Sequence, residues 1–154
     1  MIYKISKEQL IKHGLIKKCP VDFVSVHHLL VRAHMDVQTA KRNISVDDDC
    51  AYTYAYNAML RCGLALMFCE GYRPEIRDKH LTIVKFTGLL LGSEFEDLIS
   101  HYDFMRKKRN QFLYEPDIPC STTEAAKAIE AAEKFVEKVT NIIRDQHPEQ
   151  KFDV

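Results

Sequence analysis

From Ala58 to Cys69 the chain reads AMLRCGLALMFC, apolar nearly all the way round a helix. A helix with almost no polar face belongs in the middle of a helical assembly or at a subunit interface. Three consecutive acids, Asp47, Asp48 and Asp49, precede it and suit the positive end of its dipole. Gly71 follows as a C′ residue, so this helix is expected from about Cys50 to Glu70. Ala51, Ala55, Ala58, Gly63 and Ala65 would let neighbouring backbones come close to it. The remaining elements have to be built around this one.

Those elements also read as helices. A short one is expected near Lys7 to Lys17, with Ser6 and Gln9 as a capping box, and Pro20 breaks it. A second, from about Asp22 to Arg42, carries Phe23, Val26, Leu30, Ala33, Val37 and Ala40 at three- and four-residue steps. Another spans roughly His80 to Leu91 and stops at Gly92. The next opens with Ser93-x-x-Glu96, a second capping box, and ends near Tyr114, because Pro116 disfavours helical geometry at Glu115. Ser121-x-x-Glu124 starts the last helix, which runs to about Arg144. No strand pattern, internal repeat, Rossmann glycine signature or phosphate loop stands out. The sum is an all-α fold: an antiparallel four-helix bundle with a short N-terminal helix, one domain over residues 1–146 and a polar tail over 147–154.

At 154 residues a single domain can bury a proper core without disulfides or metals. Twenty-two acidic and twenty-two basic residues cancel, which argues against a protein that coats nucleic acid without specificity. The five cysteines, Cys19, Cys50, Cys62, Cys69 and Cys120, are an odd number with no Cys-x-x-Cys pair. They suit neither a disulfide framework nor a zinc site. The opening residues lack the apolar block of a secretory signal, and Asn57 and Arg61 interrupt the best candidate for a membrane span. A reducing cytoplasm is the expected compartment, with no membrane partner, no metal and no cofactor.

The sharpest lead is Ser93 to Glu115. Phe95, Leu98, Tyr102, Met105, Phe112 and Leu113 fall on one helical face. Counted from Tyr102, Arg109 lands within roughly 20° of the centre of that apolar stripe, and Arg106 lies roughly 40° off on the other side. Lys107 and Lys108 point away. A charge in an apolar seam is costly unless it is paired or lines a cleft. Arg109 can hold phosphate oxygens in a fork, Asn110 can orient a hydroxyl or phosphate, and Tyr114 offers a phenol. Arg106, Lys107 and Lys108 complete the densest positive run and are candidates for phosphate contact. The alternative is an internal ion pair, with Arg109 held by an acid of a neighbouring helix.

The seven histidines form no His-x-x-x-His pair. His27 and His34 share a face without an acidic partner nearby and read as surface or packing residues. His80 begins a helix and could serve a site, but the sequence assigns it no partner.

Four blocks carry a resemblance to a known family. They are AYNAMLRCGLALMFCEGYRP (Ala55 to Pro74), KHLTIVKFTGLLLG (Lys79 to Gly92), RKKRNQFLYEP (Arg106 to Pro116) and STTEAAKAIEAAEKFVEKV (Ser121 to Val139). In order and spacing, over residues 47–144, the chain resembles the HEPN superfamily (higher eukaryotes and prokaryotes nucleotide-binding), all-helical domains common in toxin–antitoxin and defence systems. The resemblance implies a metal-independent endoribonuclease, homodimeric, with an Arg-x4–6-His motif from each copy facing a shared cleft. Arg109 and Asn110 fit the opening of that motif, and Tyr114 stands where the family has histidine. A tyrosine, with its ordinary pKa near 10, is a poor general base at neutral pH. The departure leaves RNA binding as the expectation and puts cleavage in question. The family also implies a second role, as a non-catalytic module partnering a nucleotidyltransferase antitoxin, with Tyr114 a target for modification. The third reading is a structural helical bundle.

Overall fold

A computed structural model of the chain describes residues 5–154. It is mostly helical, with elements α1 (Lys7–Lys12), β1 (Ile16–Lys18), α2 (Phe23–Asn43), α3 (Asp48–Cys69), β2 (Tyr72–Pro74), α4 (Lys79–Leu91), α5 (Glu96–Tyr114) and α6 (Thr122–Gln146). The absence of a secretory signal was read partly from residues 1–4, which lie outside the described residues.

The apolar run is the hub. Every residue of α3 is buried or half-buried, and α2, α4, α5 and α6 all pack against it, α2 and α6 most extensively. The core that forms around it includes Val26 and Leu30 from α2, Met59 and Leu66 from α3, Tyr102 and Met105 from α5, and Phe135 and Val139 from α6. The acids at the head of α3 do more than suit its dipole. Asp47 caps the helix by accepting from the Cys50 amide, Asp48 accepts from the Thr122 hydroxyl, and Asp49 accepts from the Cys120 amide. Two neighbouring carboxylates therefore tie the start of α3 to the start of α6.

Four expectations need correction. The first helix ends at Lys12, not Lys17, because Gly14 takes a φ of 67° and turns the chain. Ile16–Lys18 then pair antiparallel with Tyr72–Pro74, so two short strands exist. Three-residue strands are too short to show an alternating pattern. The Ser93-x-x-Glu96 box does not cap α5: Gly92, at φ 78°, leads into a 3-10 turn over Ser93–Phe95, and α5 starts at Glu96 without a side-chain cap. The other two capping boxes, Ser6 with Gln9 and Ser121 with Glu124, form as read. Finally, the tail is not simply polar. Phe152 is buried against Phe23 and His27, and the Arg144 guanidinium donates to the Phe152 and Val154 carbonyls at 2.9 and 3.3 Å. Among the described residues, no helix is long and apolar enough to cross a membrane.

Candidate functional site

The basic run on α5 divides once its partners are counted. Asp103, one turn earlier and buried, takes Arg106 at 2.9 Å and Lys107 at 3.3 Å. Glu124 of α6 takes Lys108 at 2.7 Å, so that lysine is half-buried where the helical wheel pointed it outward. Each of the three candidate phosphate contacts other than Arg109 thus has an acidic partner within the chain, two of them sharing Asp103. Arg109 makes no ion pair among the described residues; its Nη1 donates only a long, 3.4 Å bond to Asn110 Oδ1.

Arg109 is half-buried and lines a cleft of about 310 Å³ where α2, α3, α4 and α5 meet. Apolar walls come from Leu29, Leu60 and Ile83; polar groups come from Asn57, Arg61, Lys79 and His80. Arg61 is held from behind by the buried Asp36, whose Oδ2 accepts from its Nε. Asp36 also faces Arg32 at 3.4 Å, an arrangement that leaves two guanidinium groups against one carboxylate. Burial pushes the Asp36 carboxyl up while Arg61 and Arg32 pull it down. The cleft is therefore cationic in a chain whose overall charge is zero.

His80 is the group that spacing arguments left without a partner. Its Nδ1 shares a 3.0 Å hydrogen bond with the hydroxyl of Tyr56, a fully buried side chain of α3. Burial first, then the nearby Arg109, Lys79 and Arg106, hold the His80 imidazole below its ordinary range. Burial raises the Tyr56 phenol, which stays protonated at physiological pH. The fixed geometry follows from the packing: α4 leans on α3 at Gly63, where an added Cβ would meet Ile83 and Thr87. Without a side chain at that point, α4 can bring its first turn down to Tyr56.

The other members of the sequence-based site fall outside this cleft. Tyr114, at the end of α5, is 79% exposed, and Leu113, assigned to the apolar face, is 61% exposed. The helix leaves the core after Phe112, so its last two residues are exposed. Phe95 and Leu98 are half-buried and border a different groove, between α5 and α6. That groove is larger, about 610 Å³, but both acids and bases line it, and Lys134 is already paired with Glu130 at 3.1 Å. Among the described residues, no three His, Cys, Asp or Glu side chains gather as a metal ion would need.

Tyr56, Asn57, Arg61 and Lys79 line or adjoin the cleft and escaped the sequence reading, which singled out His80 but gave it no partner. Only His80 carried a usable signal, a titratable side chain in the first turn of a helix. Compared with known proteins, the chain matches no family model, no curated protein and no solved structure.

Proposed function

We propose that the chain is an HEPN-like protein of toxin or defence type that engages RNA through the Arg109 cleft. In this reading the four long helices, α2, α3, α5 and α6, form an antiparallel HEPN-like bundle. The protein works as a homodimer in the cytoplasm, and Arg109 of each copy grips a phosphate while Asn110 steadies the guanidinium. The observation that carries the reading is the state of Arg109. It is half-buried at an open cleft, lacks an ion pair among the described residues, and shares that cleft with Lys79, Arg61 and His80. A guanidinium kept there without a carboxylate suits an anionic ligand.

The test is binding of purified protein to a single-stranded RNA oligomer across a salt series, comparing wild type with Arg109→Ala. Loss of one phosphate contact weakens binding similarly across sequences and reduces the slope of log affinity against log salt by about one. A structural role predicts something else, since removing one partner of a buried ion pair costs about 3–5 kcal/mol of stability. Unchanged RNA affinity in a folded Arg109→Ala protein refutes the proposal.

A second reading draws on Tyr114. Its exposure at the end of α5 makes the phenol accessible to another enzyme. In that reading the chain partners a nucleotidyltransferase antitoxin and Tyr114 accepts a nucleotide. Intact mass of protein coexpressed with such an enzyme checks this: a one-nucleotide gain, absent from Tyr114→Phe, favours it.

A further inference from the structure

We infer that His80 is the proton-transfer residue of this cleft, supplying from α4 the imidazole that the α5 motif lacks, for cleavage of an RNA phosphodiester held by Arg109. The inference rests on the reading of the cleft as an RNA site and goes beyond it by assigning chemistry to a residue outside the α5 motif.

Three observations carry it. His80 and Arg109 come from different helices yet line one cleft, so a phosphate on Arg109 would lie in the space His80 faces. The ring is oriented, because Tyr56 holds Nδ1 at 3.0 Å. The role uses the tautomer in which Nδ1–H donates to the Tyr56 phenol oxygen, so that Nε2 offers its lone pair to the cleft. The groups that face the ring are the neutral Tyr56 phenol from α3, Lys79 beside it on α4, and Arg106, with its partner Asp103, and Arg109 from α5. Burial first, and then Arg109, Lys79 and Arg106, keep the imidazole unprotonated near neutral pH, the form that can accept a proton. The uncapped start of α4, where Asp78 makes no side-chain cap bond, adds the positive end of a helix dipole to the same place.

The step balances without a metal. His80 Nε2 takes the proton of a ribose 2′-hydroxyl, and the 2′ oxygen bonds to phosphorus while the P–O5′ bond breaks. The departing 5′ oxygen takes a proton from solvent, and His80 returns its own to solvent. The ends are a 2′,3′-cyclic phosphate and a 5′-hydroxyl. Arg109 offsets charge that builds on the non-bridging oxygens. Tyr56 is a positioning residue.

The experiment incubates the full chain with an RNA oligomer in EDTA, beside a copy of that oligomer carrying 2′-deoxyribose at the cleaved position. Cleavage is expected for the first only, with a rate that rises with pH along a limb centred below the ordinary imidazole value of 6.5. His80→Ala is expected to lose about 10²- to 10⁴-fold in rate, to keep Arg109-dependent binding, and to regain cleavage with added imidazole. Undiminished cleavage by His80→Ala overturns the assignment. So does a wild type that binds RNA through Arg109 without cutting it, an outcome that leaves the binding proposal standing. Failure both to bind and to cut removes both. If His80→Ala does not fold, Tyr56→Phe carries the test: slower cleavage with a displaced pH limb and unchanged binding supports the role, and an unaltered pH profile overturns it.

Discussion

Gly63→Ala tests whether the α3–α4 contact is as tight as the cleft requires. A Cβ at this position would stand 2.6 Å from Ile83 Cγ2 and 2.8 Å from Thr87 Oγ1. Both neighbours are β-branched residues of a helix, with little χ1 freedom to retreat. Thr87 is further tied by its hydroxyl, which donates to the Ile83 carbonyl at 2.7 Å. Relief therefore means moving α4 as a unit. Overpacking of this kind costs roughly 1–3 kcal/mol. Against it stands the helix propensity that alanine gains over glycine, about 0.8–1 kcal/mol. Packing wins, leaving a net loss of about 1 kcal/mol, or roughly 2–4 °C in Tm for a domain of this size. Thermal and urea unfolding followed by circular dichroism read it directly, and Gly63→Val should lose more. A double variant with Thr87→Ala, which removes one of the two clashing atoms, should recover part of the loss as a coupling energy of about 0.5 kcal/mol or more. Any displacement of α4 also carries His80 away from Arg109, so on the proposed role of His80 RNA cleavage should fall further than stability alone explains. A higher Tm for Gly63→Ala would show that propensity outweighs contact, and the argument for a closely seated α4 would be lost.

The remaining expectations concern protonation and the C-terminal segment. His34, His80 and His101 all titrate below the ordinary imidazole range, through burial first and then through Arg144, Arg109 and Lys127 respectively. In each case the unfolded chain takes up a proton at a pH where the folded chain resists it. Stability is thus fully present above the unfolded value of 6.5 and is lost as pH falls toward the folded values. Tm should drop between about pH 8 and about pH 5.5, and less steeply for His34→Gln; a flat or rising Tm contradicts this. Phe152→Ala should destabilise by about 1.5–3 kcal/mol, because that ring is buried against α2; an unchanged urea midpoint would show the segment to be undocked.

How much of this was legible depended on the distance over which each feature is decided. The hub helix could be read because an all-round apolar run has only one kind of environment available to it. Ser6–Gln9 and Ser121–Glu124 could be read because a capping box closes within four residues. Ser93–Glu96 has the same spelling and fails, since the backbone leaves Gly92 at φ 78° into a 3-10 turn before the α-helix begins. The strands and the seating of Phe152 are tertiary events. Each depends on a partner segment far along the chain, and three-residue pairing leaves no periodicity to find.

The candidate site divides along the same line. Arg109 was visible because its misfit is local, a cation in the middle of its own helix's apolar stripe. Its neighbours' fate was not, although Asp103 lies at the i−3 and i−4 positions that would take Arg106 and Lys107. Counting that acid first would have left two of the four cations, Lys108 and Arg109, and the acid that takes Lys108, Glu124, lies on another helix. His80 needs more than any single helix can supply. Its partner Tyr56 is 24 residues away, and the approach that joins them is set by the missing side chain at Gly63. A tyrosine at the motif's histidine position therefore says little about whether an imidazole serves the cleft proposed to bind phosphate. A second helix can deliver that group from the opposite wall, and in this chain α4 brings an oriented histidine to the cleft that Arg109 lines.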